Sequence, residues 1–266
     1  MTRKRSSKIA AVAFAFSVVF YCAGIVSAQW NSANAYGYST GYGTVYGSYG
    51  LAATMQSMYN VARAQSQKRA AAGSGSASKP NSSPANSQTV APEALVARNH
   101  GVFRPDASVD TGKTLADALG DTPEHKALVK QIYTSTKTAY EKEAAAKGWK
   151  GNIAGGLTFF TVVAMTVYHD AEEPSDAALD AHFKTLNAAL DETPGFADLS
   201  NKEKQGFNNV MIGFGGILLA GYAEGKQNAD AETLANYRKL AGMLIEMVLK
   251  TDPKNLRLVN GQIVMN

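Results

Sequence analysis

Asn152-Ile153-Ala154-Gly155-Gly156-Leu157-Thr158-Phe159-Phe160-Thr161-Val162-Val163-Ala164-Met165-Thr166-Val167-Tyr168-His169 is the stretch that decides how this chain folds. From Ile153 to Tyr168 no side chain is charged, and apolar residues fall on every face of a helix drawn through them. A surface helix carries one apolar stripe, whereas a helix that is apolar all round must be enclosed by protein or by lipid. Ala154, Thr158 and Thr161 recur about one turn apart and make one thin face, along which another backbone can approach closely. A second stretch of this kind, Phe207 to Tyr222, carries Gly213, Gly216 and Ala220 at similar spacing, a stripe that Ala223 continues. The two are expected to pack on each other at the centre of a bundle.

Working outward, the flanking segments supply the cover. Thr122 is placed to cap a helix with Pro123 at its first position and Glu124 in its first turn. Val129, Ile132, Tyr133, Thr136, Tyr140 and Ala144 follow at helical spacing, and Gly148 with Trp149 has the form of a Schellman-type stop. Glu172-Glu173-Pro174 interrupts the chain, and Ser175 opens a helix striped by Leu179, Phe183, Leu186 and Leu190. Ser200 and Glu203 form a capping box for the helix bearing the glycines, which Gly225 is expected to close. Asp230 caps a last helix, stopped by Asp252-Pro253. Asn260-Gly261, between Leu256-Arg257-Leu258-Val259 and Gln262-Ile263-Val264, is a hairpin turn signal. A further short helix is expected at 114–119. The reading is all-α: an up-and-down bundle of about five helices, two of them central, apolar and glycine-containing, plus a short C-terminal β-hairpin.

The N-terminal third is of another kind. Arg3, Lys4, Arg5 and Lys8 precede an apolar run from Ile9 to Ile25, and Val26-Ser27-Ala28 is a small-residue cleavage site. Residues 1–28 therefore read as a signal peptide, and the chain as exported to the periplasm, the cell envelope or the medium. Cys22, the one cysteine, leaves with it, so the mature chain has no disulfide and no thiol nucleophile. Residues 29–50 alternate tyrosine with glycine, and 73–88 are rich in Gly, Ser, Asn and Pro. Residues 29–91 read as a low-complexity, disordered tail with a possible helix at 51–72. The helical domain is expected over 92–266.

Charge needs the same division. The formal +4 and the pI of 9.0 owe their sign to the leader, since removing its four cations leaves 22 basic residues against 22 acidic ones. Residues 29–99 carry five basic side chains and one acidic, whereas 100–266 carry 17 against 21. Nucleic acid calls for a concentrated basic face, and the domain's composition excludes that partner.

Gly148-Trp149, Tyr168-His169, Lys204-Gln205, Gly221-Tyr222, Tyr237-Arg238-Lys239-Leu240-Ala241 and Asp252-Pro253 together resemble an uncharacterised family of exported bacterial helical domains, over roughly 131–258. The resemblance implies export and a helical domain and carries no activity. Its residues are packing and turn residues.

The chemistry-bearing candidates are few. His169, Asp170 and Glu173 form the most polar knot beside an apolar element, and an imidazole with carboxylates can support acid–base work or hold a metal. The zincin pattern His-Glu-x-x-His is absent. Pro174 ends the helix, which argues against aligning His169 with Glu173, and a histidine at a helix C-terminus is favoured by the dipole alone. Nothing places His182 near His169, and His100 and His125 read as isolated surface residues. Gly213-x-Gly215-Gly216 lies inside a helix pattern and follows no strand, so it reads as close packing rather than a phosphate loop. Asn152, Asn208 and Asn209 are candidates to line a small pocket where the two apolar helices begin, with helix capping and inter-helix hydrogen bonds the favoured competing use. No cofactor and no metal are expected.

Two function classes follow: a non-catalytic binding or structural domain with an unknown envelope or extracellular partner, or a hydrolase or metal-assisted enzyme centred near His169. A membrane-active protein is a minor third. Ile153–Tyr168 and Phe207–Tyr222 hold 16 residues each, short of the ~20 that span a bilayer. No stable membrane insertion is expected.

Overall fold

A computed structural model describes residues 98–193, 195–259 and 262–265. The signal peptide, the tail with its possible helix at 51–72, and the turn residues Asn260-Gly261 lie outside the described residues. Among the described residues there are six helices, α1 (Thr111–Leu119), α2 (Pro123–Lys147), α3 (Ile153–His169), α4 (Asp176–Glu192), α5 (Asn201–Gln227) and α6 (Ala231–Leu249), then a 3-10 turn and a hairpin, β1 (Leu256–Val259) and β2 (Gln262–Met265). The expected bundle with its hairpin is what forms. The sixth helix is α1, which starts three residues earlier than its pattern suggested because Asp110 caps it through the Lys113 amide.

The helix ends follow their caps. Thr122 accepts from His125 N and Ser175 from Ala178 N, while Asp230 accepts from the amides of Glu232 and Thr233. Ser200 and Glu203 close both bonds of their capping box. Gly148 takes φ 73°, the left-handed conformation a Schellman stop demands, and Trp149 N donates back to Ala144 O at 2.7 Å. Gly225 does not end α5, contrary to expectation. The helix runs on to Gln227, and Gly225 instead leaves room for Leu234 of α6.

α3 and α5 form the most extensive helix pair, with α4 and α6 against α3, α2 and α6 against α5, and α1 on α2 and α5. Phe160, Phe207, Phe214, Leu157 and Met165 are fully buried between them. The two central helices run parallel: Asn208 lies on Gly156 near the start of α3, Gly215 on Phe159, and Tyr222 on Asp170 at its end. One close approach between them is at Gly156, against which the Asn208 side chain and backbone carbonyl pack. The glycine stripe of α5 serves other neighbours. Gly213 receives Leu115 of α1, Gly216 receives Thr136 of α2, and Gly221 receives the Tyr237 ring of α6. Replacing Gly216 with Leu would drive α2 away from α5, and we expect a loss of roughly 1–3 kcal/mol in urea unfolding. An unchanged midpoint would mean the helices are not in contact there.

The hairpin pairs Leu256 with Met265 through to Val259 with Gln262. β2 packs against α4, and Ile263, Val264 and Met265 are all buried. A hairpin alone is marginal, and this one is held by the bundle. By length and composition α5 is the one helix among the described residues able to cross a membrane, and 83% of its most apolar window is buried inside the protein.

Candidate functional site

The knot at the end of α3 is built by the way that helix stops. Asp170 takes the left-handed conformation, φ 53°, and its amide returns to Thr166 O. Aspartate tolerates this conformation better than most residues. The turn swings its carboxylate onto α5 and α6, where it meets Lys226 Nζ at 2.6 Å, Arg238 Nη2 at 2.5 Å and the Tyr222 hydroxyl. The Lys226 and Tyr222 hydrogen bonds and the nearby cations hold the Asp170 carboxyl below its usual range. Burial, and donation to Asp170, push the Tyr222 phenol up. A carboxylate so saturated is a weak proton acceptor.

His169 leaves in another direction. Its Nε2 donates to the Leu256 carbonyl at 2.7 Å and fastens the end of α3 to the start of β1. Glu173 lies beyond the helix end and is exposed. Although the residue as a whole is open to solvent, partial loss of water around its carboxyl, and then the Asp176 carboxylate, raises its pKa. The three candidates thus serve three different surroundings. Among the described residues no three His, Cys, Asp or Glu side chains gather in a way that suits one metal ion.

The amide candidates lie at the opposite end. Asn152 caps α3, accepting from Ala154 N at 2.9 Å, and its Nδ2 donates to Asn187 Oδ1 of α4 at 2.8 Å. Asn208 rests on Gly156 and reaches Asn209 Oδ1 at 3.4 Å, while Asn208 Oδ1 and Asn209 Nδ2 are buried with no hydrogen-bond partner among the described residues. Asn152 and Asn208 are therefore brought to one end of the central pair. Asn152 is shared with α4 through Asn187, a partner the sequence reading missed.

Other residues of note carried weaker signals. His182 is 3% exposed, and burial depresses its imidazole to about 4. It sits three residues after Leu179 and four before Leu186, so the apolar stripe of α4 already placed it inward. His100 is not isolated: its amide and ring face the Asp191 carboxylate, the ring at 3.9 Å. Lys204 is 7% exposed in the first turn of α5. Its neighbour Gln205 clamps the chain before α1, accepting from Asp106 N at 2.5 Å and donating to Asp106 O at 3.1 Å.

Many of the residues that carry the sequence resemblance meet in these contacts: Gly221 with Tyr237, Tyr222 and Arg238 with Asp170, Trp149 stacked on Phe183 at 5.0 Å. Among known proteins, a family described as a family of unknown function (DUF6683) matches residues 7–266, a wider span than 131–258. No curated protein and no solved structure matches significantly.

Proposed function

We propose that this chain, which belongs to that family of unknown function, is an exported helical module with a non-catalytic binding or structural role at the cell envelope or outside the cell. The observation that carries this reading is the fate of Asp170. The carboxylate best placed for chemistry in the sequence is taken up by Lys226, Arg238 and Tyr222, and the adjacent His169 by a backbone carbonyl. Both side chains tie elements together, so neither is held as a free base for acid–base work. The leader and the tyrosine- and glycine-rich segment support export and display on a tail. The partner is proposed as a protein or polymer of the envelope, not nucleic acid.

Expression from the full gene, followed by N-terminal sequencing and fractionation, tests export and membrane association together. A mature chain beginning at Gln29 and released from membranes by high salt is expected. A retained leader, or release only by detergent, would move the membrane-active reading to first place.

A further inference from the structure

Among the described residues three large apolar side chains are exposed, Val102, Leu258 and Val259, and the last two are neighbours on β1. Val259 and Gln262 flank a two-residue turn, so they form a hydrogen-bonded pair and the pairing alternates from there. Leu258 and Leu256, opposite Ile263 and Met265, therefore direct their amides and carbonyls away from β2. At Leu256 this outer edge is closed, because its amide donates to Pro253 O and its carbonyl accepts from His169 Nε2 at 2.7 Å. At Leu258 it is open: neither backbone group has a hydrogen-bond partner among the described residues. The side chains leave a gap at the same place. Leu256, Leu258, Ile263 and Met265 share one face of the hairpin. Three of them are buried, and Leu258 is 44% exposed. An open strand edge beside exposed apolar residues is a pairing template that native proteins cover or blunt.

The chain that precedes the described residues ends within reach of this edge. Arg98, Asn99 and His100 place their amides on the Asp191 carboxylate, at the C-terminal end of α4, at 2.8, 3.1 and 2.7 Å. α4 is also the helix on which β2 packs, and its 17 residues span about 26 Å. Nine extended residues cover about 30 Å, so residues 89–97 reach the hairpin wherever along α4 it lies. Their sequence, Thr89-Val90-Ala91-Pro92-Glu93-Ala94-Leu95-Val96-Ala97, is apolar with one charge, unlike the Gly-, Ser- and Asn-rich stretch before it. Pro92 is tolerated on an outermost strand, where the missing amide faces solvent. A second copy brings to the edge only the same short strand, far below the roughly 1,200 Å² of a stable interface. A tethered segment meets it at an effective concentration in the millimolar range.

We propose that residues 89–97 dock on the open edge of β1 as a third, outer strand that covers Leu258. The edge takes an extended polypeptide through the Leu258 amide and carbonyl, and the Leu258 side chain gives it an apolar preference. The N-terminal segment then departs from the hairpin rather than from Arg98, and an extended partner of the same chemistry has to displace it. The inference is independent of whether the chain is exported and of the knot at Asp170.

Hydrogen exchange at the Leu258 amide, followed by NMR in the full chain, tests this. In the wild type, exchange is expected to be slowed by roughly tenfold or more relative to an unstructured amide. The protection should not change on dilution, and nuclear Overhauser contacts should join Leu258 to residues 89–97. Val90→Asp combined with Leu95→Asp is expected to remove both signals while the amides of α3 keep their protection. Fast exchange at Leu258 in the wild type, or equal protection in both chains, overturns the proposal. Protection that falls on dilution, with a dimer in sedimentation, identifies a second copy as the occupant and overturns it as well. Contacts from residues 89–97 to Val102 in place of Leu258 do the same. If the double variant does not fold, the Overhauser contacts of the wild type decide, and their absence overturns the proposal.

Discussion

Gly156→Val is expected to cost roughly 3 kcal/mol, lowering the melting temperature by roughly 6–12 °C for a domain of this size. Gly156 is a point of close approach between the two central helices, and a Cβ there would collide with the Asn208 amide and lie 3.0 Å from its backbone carbonyl. Side-chain tips can swing aside, but a helix backbone yields only by moving the whole helix. Helix propensity works in the opposite direction, favouring most residues over glycine by up to about 1 kcal/mol. The sign of the result therefore decides which term dominates. Thermal unfolding measures it, and a stabilised variant would show that α3 and α5 are not in backbone contact.

Acid should weaken the fold through His182. In an unfolded chain its imidazole titrates near 6.5, and in the bundle burial depresses it to about 4. The folded state thus binds this proton less readily than the unfolded state. Stability from this residue is complete above about pH 6.5 and is lost progressively as pH falls toward 4. The difference corresponds to about 3 kcal/mol at the acid end. Glu173 and Glu224, whose pKa values are raised by desolvation and nearby carboxylates, contribute with the opposite sign over the same range. The informative quantity is therefore the difference between chains. Urea unfolding at pH 7 and pH 4.5 should show a markedly smaller loss for His182→Gln than for the wild type. Parallel pH dependences would mean that His182 is not buried as an uncharged ring.

The fold was legible wherever a local rule had no competitor. A charge-free run such as 153–168 has to be enclosed, and Thr122, Ser175, Ser200 and Asp230 could be placed because their side chains satisfy amides within their own turn. Gly225 shows the limit of local rules. Glycine is common at helix ends, yet here it is kept inside α5 by Leu234 arriving from another helix. The glycine stripe was legible as close packing, while its partners, Leu115, Thr136 and Tyr237, were not, because spacing does not tell which helix arrives. The candidate site divides in the same way. The place of His169 at a helix end was legible, but the Leu256 carbonyl that holds it lies 87 residues away. The cations around Asp170 come from α5 and α6, and the parallel course of α3 and α5 is a property of topology. Asn152 was found as a capping residue, but its bond to Asn187 depends on α4 folding back antiparallel to α3.

We propose that the polar knot at Asp170 serves to hold the bundle together rather than to perform a reaction. Asp170→Asn keeps the size of the side chain and removes the charge that Lys226, Arg238 and Tyr222 share. Its folded pKa is depressed, so its contribution is present above about pH 4 and vanishes in stronger acid. The decisive measurement is the melting temperature of Asp170→Asn against the wild type at neutral pH and low salt. A fall of roughly 2–4 °C, shrinking at high salt, is the expected result. An unchanged melting temperature would contradict the account and return Asp170 and His169 to the status of catalytic candidates.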